Sequence, residues 1–224
     1  MTEITKTKLL YKIPIPHYTF GEELINTLSH GIGALLGISA LILCIVRASL
    51  HGSGSGIASG LVFGISLIIL YSMSAVYHGV RPSIAKRILR ICDHCTIFIL
   101  IAGSYTPFTL ITLRGTTGYI LFGIIWFMAL LGIVLNAIDL ERFKRFSMVC
   151  YLVMGWCVVF TFPQLQANLA HNGLVLLIWG GVAYTVGAVI FGIGSKIKYM
   201  HSLWHFFVLA GSILHFLCIY LYVI

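Results

Sequence analysis

The chain has 224 residues, 59% hydrophobic and only 9% charged, with a net charge of +8 and a mean hydropathy of +1.02. A soluble core does not need that much apolar surface, so the composition excludes a water-soluble globular protein and points to one integral to a membrane. The positive charge sits in short loops between apolar runs, the ordinary pattern of an inner membrane face, and so gives no reason to expect a nucleic-acid partner.

The chain opens on a polar stretch, MTEITKTKLLYKIPIPHYTFGEE, and the apolar run after it is too long for a signal-peptide core. About 20 apolar residues cross the hydrocarbon layer. By that measure seven segments follow in order: Leu24–Val46, Ile57–Tyr77, His94–Leu113, Tyr119–Ile138, Ser147–Phe162, Leu174–Gly194 and Ser202–Ile224. The breaks between them read HGSGSG, RPSIAKR, RGTTG, DLERFKRF, QLQANLAHNG and SKIKYMH. The expected fold is an all-α, seven-transmembrane helix bundle. It forms a single membrane domain over residues 1–224, of which 1–22 are an amino-terminal tail.

Lysine and arginine orient that bundle. Lys6, Lys8, Lys12, Arg81, Lys86, Arg87, Arg90, Arg142, Lys144, Arg145, Lys196 and Lys198 fall on one side, and Arg47 and Arg114 on the other. Twelve against two places the amino terminus in the cytoplasm and the carboxyl terminus outside. The RPSIAKRILR stretch is expected to lie along anionic headgroups.

Ionisable groups at membrane depth are costly and mark sites. Six of the nine histidines, 17, 30, 78, 94, 201 and 205, fall on the inner side. His201 and His205, in HSLWH, share one helix face, and His78 at the inner end of the second segment is the best third imidazole. Three histidines with a fourth position open to water describe a catalytic zinc site. No glutamate follows His201, so the base must come from elsewhere. Glu3 is in the tail, and Asp139 and Glu141 sit among Arg142, Lys144 and Arg145. Of the remaining carboxylates, Asp93 enters the third segment directly from the basic loop after His78, which makes it the expected base, with Glu23 next in line.

Ser74 lies one turn deeper than His78 on the same face and can donate to a developing oxyanion. It can equally bond back to the carbonyl four residues earlier. His215 is ten residues beyond His205, about 15 Å along the helix, and is assigned to helix–helix hydrogen bonding. His51 and His171 read as outer-loop residues. Cys92 and Cys95, in CDHC, are a weak rival site without a second cysteine pair.

The stretches EELINTLSHGIG, SAVYH, DHCTIFILIAGSYTPF and HSLWHFFVLAGSILHF closely resemble the bacterial hemolysin III proteins, from Glu23 to the end of the chain. That family is related to the progestin and adipoQ receptors, including the adiponectin receptors, and more widely to alkaline ceramidases. The resemblance implies that His78, His201 and His205 hold zinc near the cytoplasmic side, with Asp93 on a metal-bound water and Ser74 completing the pattern. It also implies a structural motif at Glu23, Asn26 and His30, and a multi-pass location in the bacterial cell membrane.

Function then divides. The first expectation is a zinc-dependent hydrolase of a lipid amide or ester, ceramidase-like, with a membrane lipid as substrate. The second is a pore-forming or membrane-perturbing cytolysin in which zinc is only a staple. A lipid or ligand sensor is a lesser third, since the outer loops are short.

Overall fold

A computed structural model describes residues 13–193 and 197–224; Lys6, Lys8, Lys12 and Lys196 of the charge count, and Gly194 at the end of the sixth segment, lie outside them. Among the described residues every regular element is helical. In order they are α1 (Phe20–Leu50), α2 (Gly54–Gly79), α3 (Ile84–Pro107), α4 (Thr116–Trp156), the short α5 (Phe162–Asn168), α6 (His171–Ile193) and α7 (Met200–Tyr222). Six stretches are long and apolar enough to cross a membrane, the longest being the 53 residues Thr116–Asn168.

Local chemistry sets the ends. Thr19 and Glu22 form a capping box at the start of α1, in which Glu22 Oε2 accepts from Thr19 N at 2.8 Å. Ser53 caps α2 by accepting from Gly56 N, and Ser83 caps α3 by accepting from Lys86 N. Pro107 has no N–H to donate to the preceding turn, and α3 runs out through a wider π turn over Phe108–Thr112.

The fourth and fifth expected segments are joined differently from expectation. DLERFKRF is helical, and only Asp139 departs from helix, at φ −158° and ψ 92°. Its carboxylate accepts from Arg142 N at 3.1 Å and so caps a new helical run. The chain doubles back there. Ser147 Oγ donates to Asn136 Oδ1 at 2.6 Å, whereas eleven residues of straight helix would hold them about 16 Å apart.

Packing places small residues where helices meet closely. α1 lies chiefly on α2, α6 on α7, and α1 also touches α7. A Cβ on Gly33 would fall 2.6 Å from the Tyr71 ring, and one on Gly64 would fall 2.6 Å from Leu41. Backbones come together there through glycine, as membrane helices require. The outward faces carry Leu28, Leu35, Phe127 and Trp179, while Asn26, His30, Ser74, His78, Lys86, Asp93 and His205 are buried. The protein is apolar outside, and its interior combines an apolar core with these buried polar groups.

The RPSIAKRILR stretch corrects an expectation. Ser83 starts a helix, so most of this stretch is the first turns of α3. These turns carry Lys86 and Arg90 inward, where they are 1% and 8% exposed, rather than to headgroups. Glu23 and Glu141 draw them in. Asp93 is consequently the tenth residue of α3 and not its first.

Candidate metal centre

α1, α2 and α7 bring the cluster together. His78 is the penultimate residue of α2, and His201 and His205 occupy the first two turns of α7. His201 Nε2 lies 3.2 Å from His78 Nε2 and 3.2 Å from His205 Nε2. The three ligand atoms all fall within 4.8 Å of one another, so this group can hold a metal ion. Two nitrogens each about 2.1 Å from a tetrahedral zinc stand about 3.4 Å apart, so the spacing fits such an ion.

The other ring nitrogens explain why the rings face this way. Glu23 Oε2 sits 2.6 Å from His78 Nδ1, and Lys86 Nζ donates to Glu23 Oε1 at 2.6 Å. A carboxylate paired with an ammonium only accepts, so His78 carries its proton on Nδ1 and presents the Nε2 lone pair to its neighbours. The amide of Asn26 is 3.4 Å from the same His78 nitrogen. Ser29 Oγ lies 3.4 Å from His205 Nδ1. His30 stacks on the His205 ring at 3.6 Å between centroids and meets Tyr71 edge-on.

Tyr18, just ahead of α1, covers the cluster from the amino-terminal side, stacked on His201 at 4.9 Å. Burial, with the Glu23 carboxylate nearby, pushes its phenol above the ordinary tyrosine range, so it stays a neutral hydroxyl. Glu22 Oε1 accepts from Tyr199 N at 2.8 Å and ties the start of α1 to the start of α7. Tyr199 is held in the left-handed region at φ 65°, two residues before His201. A non-glycine residue pays of order 1 kcal/mol or more for that conformation.

Asp93 is buried on α3 and interacts electrostatically with His78, Arg90 and Ser74. Ser74 Oγ is buried beside the Asp93 carboxylate and is not bonded back to its own helix. Asp93 and His30 also line a cavity of about 360 Å³, whose walls are otherwise mostly apolar, among them Leu100, Phe108, Leu165 and Val208. The cavity runs along α7 to the level of His215.

His215 sits where α6 and α7 meet, packed edge-on against Tyr184 and into the space left by Gly180, with the Leu177 backbone within its reach. His17 is exposed and His94 packs on Phe191, so neither joins the cluster. All six cysteines are free thiols, and Cys95 donates to the Ile133 carbonyl.

Sequence reasoning missed how Glu23 is used, and it missed Lys86, Ser29 and Tyr18 altogether. Only Glu23 gave a signal, through its spacing to Asn26 and His30. Ser29 lies inside the first apolar segment, Tyr18 in the polar amino-terminal stretch, and Lys86 in the stretch expected along headgroups.

A family profile described as haemolysin-III related matches residues 18–216, nearly the whole chain. The chain belongs to the haemolysin III family. Hemolysin-3 of Bacillus cereus is 42% identical over 203 residues, covering 91% of this chain and 92% of that protein. A hemolysin-3 homolog of Bacillus subtilis (strain 168) is 44% identical over 205 residues, covering 92% and 96%. The human monocyte to macrophage differentiation factor is 30% identical over 170 residues, covering 72% of this chain and 68% of its own. No solved structure matches. Like the family, this haemolysin III protein is a multi-pass protein of the cell membrane.

Proposed function

We propose that this haemolysin III protein is a zinc-dependent hydrolase of a lipid amide or ester, working at the cytoplasmic side of the membrane. The observation that carries the reading is the meeting of three histidine Nε2 atoms near a buried carboxylate that itself lines an apolar cavity. Among the described residues the cluster offers three nitrogens, whereas a structural zinc usually takes four protein ligands. Zinc held there would polarise a scissile carbonyl and acidify a water. The cavity walls hold the acyl chain and exclude bulk water. Asp93 takes a proton from the attacking water and returns it to the amine or alcohol released as the carbonyl–heteroatom bond breaks, and Ser74, whose hydroxyl is not bonded back to its own helix, donates to the developing oxyanion.

The cytoplasmic assignment rests on seven crossings of one membrane domain, with the amino terminus inside. The reversal at Asp139 supports that count. A straight run over Thr116–Asn168 would reach about 80 Å, against about 30 Å of hydrocarbon. A second reading, a membrane-perturbing protein with zinc as a staple between α2 and α7, is favoured by the name of the Bacillus cereus relative, Hemolysin-3.

Metal analysis of purified protein tests the first reading, followed by lipid profiles of cells with and without it. About one zinc per chain is expected. His205→Ala should lose it and His215→Ala should keep it, since about 15 Å of helix separates the two. Equal loss in both variants, or unchanged cellular lipids, would contradict the reading.

A further inference from the structure

Lys86 is 1% exposed in a membrane protein, although lysine is almost never fully buried without a partner. Its ammonium has three N–H donors and finds three acceptors: Glu23 Oε1 at 2.6 Å, the Val80 carbonyl at 2.9 Å and the His78 carbonyl at 3.4 Å. It also lies 5.1 Å from the centre of the Tyr77 ring. The short connection 80–83 makes this possible. Ser83 starts α3 close under the end of α2, and Lys86 reaches back across the gap.

The two carbonyls belong to the last turn and the C-cap of α2, where a cation is favoured by the unpaired carbonyls and by the helix dipole. A cap alone would need nothing from α1. The third contact goes to Glu23 on α1, whose other oxygen holds His78 Nδ1 at 2.6 Å. Lys86 therefore grips His78 twice, by its backbone carbonyl and by its ring through Glu23.

From this geometry we infer that Lys86 is a positioning residue for the metal centre, holding Glu23 so that the His78 ring is locked with Nε2 toward His201 and His205. This rests on the reading of the cluster as a zinc site and adds the residue that pre-sets one ligand. Without Lys86, Glu23 can rotate toward solvent, with 21% of its side chain already exposed, and His78 loses its fixed tautomer and angle.

Zinc affinity of the purified, detergent-solubilised protein, measured against a competing chelator, tests the inference without recourse to activity. Lys86→Met and Glu23→Gln should each weaken zinc by about 10–100-fold, the usual cost of losing the group that orients a ligand. The double variant should be no weaker than the worse single one, because Lys86 acts through Glu23. Lys86→Gln can still donate to the α2 carbonyls but brings no charge to Glu23, so it separates capping from positioning. It should melt close to the wild type and still bind zinc at least tenfold more weakly.

Wild-type zinc affinity in Lys86→Gln would overturn the inference, as would losses that multiply in the double variant. Wild-type protein that takes up no zinc would overturn it together with the hydrolase. The expected losses in a protein that hydrolyses no lipid would support the inference and sink the hydrolase alone.

Discussion

Histidine and glycine do opposite work in this protein, one presenting nitrogen to a shared centre and the other removing itself so that rings can pass. Tyr71 is buried, donates to Ser212 Oγ at 2.7 Å and lies edge-on to His30, so its ring cannot retreat. A methyl on Gly33 would sit 2.6–2.9 Å from that ring, while Gly31, two residues earlier, has nothing within 4 Å of a built Cβ. Gly33→Ala should therefore cost about 1–3 kcal/mol by overpacking, whereas Gly31→Ala should be neutral or gain up to about 1 kcal/mol from helix propensity. Melting of the two purified variants checks this, and equal melting temperatures would contradict it. The clustered histidines were legible in the sequence where their spacing and depth agreed, as with His78, His201 and His205. Lys86 and Glu23 are 63 positions apart on different helices, and no periodicity links them. A lysine in a basic stretch beside a helix end reads as a headgroup contact until the fold shows an acid waiting for it.

Helices were legible by apolar length, but their ends were set by polar caps inside stretches that read as loops. α1 begins at Phe20 because Thr19 and Glu22 cap each other, and α3 begins at Ile84 because Ser83 caps it, ten residues before the apolar run starts. The DLERFKRF stretch shows the same error from the other side. Its charges suggested an open loop, yet Asp139 alone breaks the helix and then caps the next run. If the reversal at Asp139 is a membrane re-entry, the two ends of the chain lie on opposite sides. Topology reporters should then register as cytoplasmic within Glu141–Arg145 and as external both at Arg114 and after Ile224. Reporters after Ile224 and within Glu141–Arg145 that register on the same side would contradict seven crossings.

At the scale of the whole molecule, the bundle carries its apolar residues on the surface as well as in the core. Its surface is leucine, isoleucine and phenylalanine, and its interior carries a buried acid, a buried lysine and a knot of imidazoles next to an apolar cavity. Such an interior is costly in a bilayer and is maintained by pairing: Glu23 with Lys86 and His78, and Arg90 with Glu141. Asp93 stands outside those pairs, beside His78 and Ser74 and on the cavity wall. In the proposed hydrolase Asp93 accepts the proton, and that is where an enzyme and a zinc-stapled lytic protein part company. Asp93→Asn keeps the shape of the side chain but cannot take a proton. The deciding measurement is zinc content and fatty-acid release, from a panel of N-acyl and O-acyl lipids, by purified Asp93→Asn beside the wild type. If Asp93 is the base, the variant is folded and zinc-loaded and its hydrolysis falls about 10²–10⁴-fold. Zinc-loaded Asp93→Asn that hydrolyses the same lipid at the wild-type rate would contradict that role.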